Sequence, residues 1–214
     1  MRPVQKGPIE LEPFGDAALR VRLPEGTDAR ALLRTLRALR GVIDAVVTER
    51  HALVTFDPPH RPEGLAEAIA TSLAPRAPPA GPPVIEIPVR YDGEDLDEVA
   101  RAAGLAPEEA IALHAGADYT VAAIGFLPGF AYLRGLDPRL SVPRRSTPRA
   151  RVPALSVAIA GPYSGVYPFA SPGGWHLLGT AVAFTPFDAS AGARLALGDR
   201  VRFSPVEGSR AGGR

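Results

Sequence analysis

Cysteine and asparagine are absent from this 214-residue chain, and lysine, methionine, tryptophan and glutamine each occur once. Without cysteine there is no disulfide, no thiol nucleophile and no thiolate metal site. A single lysine, Lys6, rules out a Walker-type phosphate loop, whose Lys stands beside Ser or Thr after a glycine run, and equally any Schiff-base or Ser–Lys mechanism. Charge of one sign is missing too. Lys+Arg number 24 against 23 Asp+Glu, so no field concentrates a polyanion and nucleic acid is not an expected partner. No apolar run approaches the ~20 residues of a membrane helix. The first residues show no apolar core between a basic start and a small-residue cleavage site, so a cytoplasmic location without membrane contact is expected.

Abundance lies elsewhere. Every basic residue but Lys6 is an arginine, and there are 24 prolines and 22 glycines. Arginine in place of lysine, with Asn and Met nearly gone, fits GC-rich coding, a heat-adapted source, or both. Apolar residues at 46% and charged residues at 22% are near soluble-globular averages, which predicts one or two packed domains.

The strongest boundary signal is the proline run from Ala74 to Pro83, which enters neither helix nor central strand and reads as a semi-rigid linker over residues 75–83. Residues 1–74 before it show strand-like alternation in Ile9–Pro13 and Ala18–Leu23. A helix capped by Asp28 carries Leu32, Leu33, Leu36 and Leu39 and stops at Gly41. Paired strands Val42–Thr48 and Ala52–Phe56 and a helix Leu65–Leu73 complete a β-β-α-β-β-α order, hence a small α+β domain. Arg30, Arg34, Arg37 and Arg40 on its first helix read as a basic docking face or as solvated surface. After the linker, a strand Val84–Arg90 and two short helices joined at Gly104 precede apolar runs broken by Gly and Pro: Tyr119–Phe126, Ala154–Ala160, Trp175–Phe184 and Arg200–Val206. That texture predicts a mainly-β barrel over residues 84–206, with a disordered tail at 207–214.

Four segments of the second domain carry a specific pattern: Gly125-Phe126-Leu127-Pro128-Gly129-Phe130-Ala131-Tyr132-Leu133, Pro143-Arg144-Arg145-Ser146-Thr147-Pro148-Arg149, Arg151 to Gly161, and Gly165-Val166-Tyr167-Pro168-Phe169-Ala170-Ser171-Pro172-Gly173-Gly174-Trp175. On these motifs the chain resembles the family of the 5-oxoprolinase B-type subunit, also called allophanate hydrolase subunit 1 or KipI-type kinase inhibitor, with its carboxyltransferase C/D domain. The resemblance runs from about Ile9 to about Val206. It implies a small α+β domain followed by a cyclophilin-like β-barrel. It also implies a non-autonomous subunit that works with two others, a homologous C-type and an A-type, in ATP-dependent opening of 5-oxoproline to glutamate. Two other roles within such a family are inhibition of a histidine kinase and service as a urea- or allophanate-related amide hydrolase subunit. Three departures stand out. Leu155 occupies a family glycine, Pro162-Tyr163-Ser164 replace an amide-bearing stretch, and Gly179-Thr180-Ala181-Val182 lack an arginine.

Read by their chemistry, Gly125, Gly129, Gly173 and Gly174 let backbone approach a ligand, or simply form tight barrel corners. Arg144, Arg145, Arg149 and Arg151 offer guanidinium forks for a carboxylate or phosphate, or serve as surface ion pairs, and Arg149 in its Pro-Arg context is the preferred anion ligand. Tyr167 and Trp175, with Phe126 and Phe130, stack on a planar ring or fill the core, and Tyr167 is besides a candidate catalytic residue. His114 at the end of the second helix is a candidate acid or base, or bonds the last helical carbonyls. Ser156 and Ser164 are candidate nucleophiles or polar contacts, though neither sits in G-x-S-x-G. His51 and His60 have no spaced partner and His176 is expected to point outward, so no metal is expected on this chain and ATP is a cofactor of the complex.

Overall fold

In the computed structural model, residues 11–58, 62–72 and 83–208 are described. Contacts divide the chain into two units, Met1–Pro79 and Ala80–Arg214. Most of the expected linker, His60 and the expected disordered tail beyond Gly208 lie outside the described residues.

The first unit holds β1 (Leu11–Pro13), β2 (Ala18–Arg22), α1 (Ala29–Arg37), β3 (Val42–Val47), β4 (His51–Phe56) and α2 (Leu65–Ser72). Asp28 caps α1, its carboxylate accepting from the Ala31 amide at 2.9 Å, so a donor with no intrahelical partner is satisfied. The sheet order is β1-β2-β4-β3, antiparallel throughout. Register places Leu19 opposite Val54, Val21 opposite Ala52, and Ala45 and Val47 opposite Val54 and Ala52. All six are buried, because a period-two pattern in register puts one apolar face on one side of the sheet. Leu32, Leu36, Leu65 and Ile69 of the helices are buried as well, at about 1.5–3 kcal/mol for each large apolar side chain. On the exposed side of α1, Arg37 pairs with Asp44 at 3.1 Å.

The second unit continues with β5 (Val84–Arg90), α3 (Leu96–Ala103), α4 (Pro107–Gly116), β6 (Tyr119–Ile124), β7 (Ala131–Arg134), β8 (Arg149–Val152), β9 (Ser156–Ala160) and β10 (Tyr163–Val166). It ends with β11 (Ser171–Gly173), β12 (His176–Ala181), β13 (Phe187–Asp188), β14 (Gly192–Ala193) and β15 (Arg200–Pro205). Seven strands close a barrel in the order β10-β7-β6-β15-β5-β12-β9. Only the β5–β15 pair is parallel, aligning Val84 with Arg200 through Val89 with Pro205. Closure leaves the barrel no free edge. Gly161, with φ 53°, and Pro162 turn the chain between β9 and β10, glycine taking the left-handed position that a two-residue hairpin needs.

Pattern alone understated this unit. The run Tyr119–Phe126 ends as a strand at Ile124, and β7 and β10, four residues each, lie inside segments that read as loops. β9 explains how one short strand organises two layers. Val157 and Ile159 join the barrel interior with Ile87, Val121, Leu133, Leu178 and Phe203, whereas Ala158 and Ala160 join Phe130, Val152, Tyr167, Trp175 and Leu177 in a second core. A strand buried on both faces must be apolar throughout, which is why Ser156–Ala160 does not alternate. The second core therefore lies on the outer side of the barrel wall, where β8 and β11 form a separate two-stranded sheet.

Candidate ligand-binding pocket

Three of the four sequence motifs converge on this outer layer. Phe126, Phe130 and Tyr132 come from the first, Arg144 and Pro148 from the second, and Tyr167, Pro172, Gly173, Gly174 and Trp175 from the fourth. Together they line a cavity of about 230 Å³. Phe130 is its hub, almost wholly buried and edge-on to Phe126 at 5.4 Å, Tyr132 at 5.1 Å, Tyr167 at 5.3 Å and Trp175 at 5.4 Å. Edge-to-face pairs of this kind favour a fixed aromatic wall over a fluid one. The core reading holds for Phe130, Tyr167 and Trp175, and the edges of these buried rings line the pocket.

Phe126 differs from the rest. Its φ is 74°, a left-handed conformation costly for a bulky residue, and its ring is 58% exposed at the pocket. In the same motif Gly129 is required, since at φ 81° a Cβ would lie 2.7 Å from Phe187 Cβ and from the Pro186 carbonyl oxygen. A Cβ on Gly173 would collide with the Tyr167 hydroxyl. Gly125 has open space around it and Gly174 only ordinary contacts at 3.7 Å, so neither is forced to be glycine by the chain's own packing.

The arginines separate into two kinds. Arg144 is exposed, lines the pocket, and among the described residues has no hydrogen-bond or ion-pair partner. Arg149, the anion ligand expected from sequence, is committed elsewhere. Its Nε meets Glu94 at 2.7 Å, its Nη2 meets Asp95 at 2.7 Å, and Nη1 reaches the Trp175 carbonyl at 3.5 Å. Arg145 is committed likewise, to Asp95 at 3.0 Å and to Glu98 at 3.5 Å. Asp95 is the residue sequence reasoning missed. Only 3% exposed, it accepts from both arginines through Oδ1 and from the Leu177 amide at 2.7 Å through Oδ2. That carboxylate ties the chain before α3 to the arginine loop and to β12, and so fixes the strand that carries Trp175 into the pocket. An acid at the start of a predicted helix reads as part of its first turn, and nothing local signals partners some fifty residues away.

His176 is also corrected. It is buried rather than outward, with Nε2 donating to the Pro143 carbonyl at 3.0 Å and Nδ1 unpartnered among the described residues. Ligand atoms of Asp95, Glu98 and His176 lie within 4.8 Å of one another, as in a cation site. Two guanidinium groups on Asp95, however, already place positive charge there, and a further cation would be repelled.

His114 and Ser164 form a different group inside the barrel. His114 is fully buried, stacks on Phe203 at 4.6 Å, and bonds the Tyr91 hydroxyl through Nδ1 at 2.7 Å and Ser164 Oγ through Nε2 at 2.8 Å. Ser164 in turn donates to the Ala158 carbonyl at 3.3 Å. The bonds are then satisfied in one direction: Tyr91 donates to His114, His114 to Ser164, and Ser164 to the carbonyl. In that tautomer the imidazole gives a proton to the serine oxygen and cannot take one from it, so Ser164 is not an activated nucleophile. Burial lowers the His114 pKa to about 3, and the ring stays neutral at physiological pH. Nor does the ring bond the last carbonyls of α4. The Tyr119 hydroxyl donates to the His114 carbonyl instead, at 2.9 Å. His114 as a catalytic acid or base is therefore corrected to a buried structural bond.

Ser156 donates to the Pro153 carbonyl at 2.9 Å and does not line the pocket. Tyr167 does, but burial holds its phenol above its ordinary pKa despite the nearby positive charge of Arg144, so it is a neutral wall and not a base. Leu155, at φ 65°, shows why glycine suits that position.

No carboxylate, histidine, serine or lysine is among the residues lining the pocket. The chain belongs to the carboxyltransferase-domain family, subdomain C and D, whose pattern matches residues 9–195. It is similar to the 5-oxoprolinase B subunit of Bacillus subtilis (strain 168), 46% identical over 124 residues, covering 56% of this chain and 52% of that protein. Against the Haemophilus influenzae protein of the same name it is 49% identical over 128 residues, covering 58% and 60% respectively. The matched stretch thus spans little more than half the length of these relatives. Among solved structures, TTHA0988 superposes with a TM-score of 0.77 at 42% identity over 89% of this chain and 40% of its own. The Kluyveromyces lactis urea amidolyase, at 18% identity and TM-score 0.69 over 92% of this chain and 15% of its own, shares the fold. No helix among the described residues is long and apolar enough to cross a membrane.

Proposed function

We propose that this chain is the B-type subunit of an ATP-dependent 5-oxoprolinase. In it, a cyclophilin-like barrel and a small N-terminal α+β domain act with C-type and A-type partners in the cytoplasm. The observation that carries this reading is the convergence of the family motifs on one small pocket with aromatic walls and a single charged residue. A compact lactam bearing a carboxylate has the size and charge for such a place. A cavity of about 230 Å³ suits a small molecule better than a protein segment, which favours the enzyme over docking to a histidine kinase.

In the reaction, ATP phosphorylates the lactam oxygen and leaves as ADP, one water adds at the activated carbon and the C–N bond opens to an acyl phosphate, and a second water displaces phosphate to give glutamate. The pocket contains no group to move protons in these steps, so this chain binds and orients the ring while nucleotide and proton transfer belong to the other members of the complex. Arg144 takes the anion-binding role expected of Arg149, whose fork is occupied. Mixing this chain with its C-type and A-type partners, ATP and 5-oxoproline is expected to release glutamate. No release, under conditions where an established complex of the family is active, removes the proposal.

A further inference from the structure

The pocket allows a more specific assignment. It rests on the reading above for the identity of the ligand but not for its chemistry. We propose that the pocket is a monocarboxylate site that binds its ring-bearing acid on this chain alone, without nucleotide or partner. Arg144 holds the carboxylate, and Phe126 closes over the ring.

Four observations converge. Arg144 is the only charged residue among those lining the cavity, and it is unpaired among the described residues, whereas its neighbours Arg145 and Arg149 are occupied by Asp95, Glu94 and Glu98. An unpaired guanidinium beside a carboxylate-free aromatic wall selects a planar anion, which it grips through two parallel N–H donors. Every other wall is aromatic, proline or glycine, so the rest of the ligand is flat, compact and weakly polar. Finally, Phe126 keeps a strained φ of 74° and, while edge-on to Phe130 and Tyr167, stays 58% exposed at the pocket. Strain of this kind gathers at ligand clamps. The site thus offers one cation for one carboxylate and an aromatic wall for one small ring.

The chain carries its own reporter. Trp175 is the only tryptophan and lines the pocket, so its emission reads occupancy directly. The full chain, without ATP, is titrated with 5-oxoproline, with 2-pyrrolidinone (the same ring without the carboxylate) and with cyclopentanecarboxylate (a ring acid without the amide). A saturable change with 5-oxoproline is expected, with 2-pyrrolidinone binding at least about tenfold more weakly and Arg144→Ala losing about tenfold to a hundredfold, the range for a charge-assisted pair. Arg144→Lys recovers part of that loss, and Phe126→Ala weakens both acids while leaving the preference for the carboxylate intact. Arg144 is exposed, so its variants are expected to fold as the parent does. The proposal is overturned if Arg144→Ala binds like the parent, if the neutral lactam binds as well as the acid, or if no acid gives a saturable signal. Arg144-dependent binding of cyclopentanecarboxylate alone would support the site and count against 5-oxoproline as the substrate. Because the titration needs no other protein, failure of the reconstituted reaction and failure of this site are separate results.

Discussion

Asp95 offers the sharpest test of how the pocket is held. In Asp95→Ala the Leu177 amide, in a residue 5% exposed, loses its acceptor at 2.7 Å. Arg149, whose side chain is 17% exposed, keeps Glu94, which is 63% exposed, and the Trp175 carbonyl at 3.5 Å, and Arg145 keeps Glu98 at 3.5 Å. An orphaned buried amide costs about 1–3 kcal/mol. Breaking a buried ion pair from one side costs about 3–5 kcal/mol. Because each guanidinium retains a second carboxylate, we expect about 4 kcal/mol in total, the sum of the lower ends of those ranges. For the second unit that is a fall in Tm of roughly 10–15 °C. Asp95→Asn keeps an acceptor for Leu177 and loses the charge, so about half the cost is expected. Urea unfolding at pH 7 followed by Trp175 emission measures both variants, since the tryptophan lies in the same unit. A loss below about 1 kcal/mol for the alanine variant would place Asp95 among ordinary surface pairs and refute the clamp.

Two further predictions follow from buried or committed groups. The folded chain holds His114 neutral with a pKa near 3 against 6.5 in the open chain, so as pH falls the unfolded form takes up a proton the folded form refuses. The stabilisation is therefore complete above pH 6.5 and is lost as pH falls toward 3. Between pH 7.5 and 5 the parent is expected to lose about 2 kcal/mol that His114→Gln does not lose. Equal slopes for the two proteins in urea titrations would refute this. Arg149→Lys reaches one of Glu94 and Asp95 but not both, which predicts a stability loss of about 1–2 kcal/mol with ligand affinity unchanged within about twofold. A tenfold loss of affinity at unchanged stability would return Arg149 to the ligand.

How far the site could be read from sequence varies residue by residue. Trp175, Tyr167 and Arg144 were legible because their motifs are dense in aromatics, glycine and arginine, residue types that seldom cluster without a shared task. The choice between Arg144 and Arg149 was not. Both sit in similar local contexts, and the difference lies in Asp95, which is 54 positions from Arg149 in the chain. Ser164 and His114 show the converse. As residue types they suggest catalysis, yet Ser164 lies on the inward face of a four-residue strand, and the His114 ring is enclosed by Tyr91, Tyr119 and Phe203.

By itself the sequence determined which reactive groups this chain has to work with. Its lack of cysteine excludes thiol chemistry in any fold, because the chain does not possess the group, and its single lysine and balanced charge argue against amine and polyanion chemistry. It also determined the barrel texture, since short apolar runs between Gly and Pro have few other ways to bury themselves. Tertiary structure alone decided which arginine remained available to a ligand. A guanidinium is free or occupied according to the carboxylates that folding brings to it, and those come from distant parts of the chain. It likewise decided that the pocket lies outside the barrel wall, because a strand buried on both faces assigns alternate side chains to different cores.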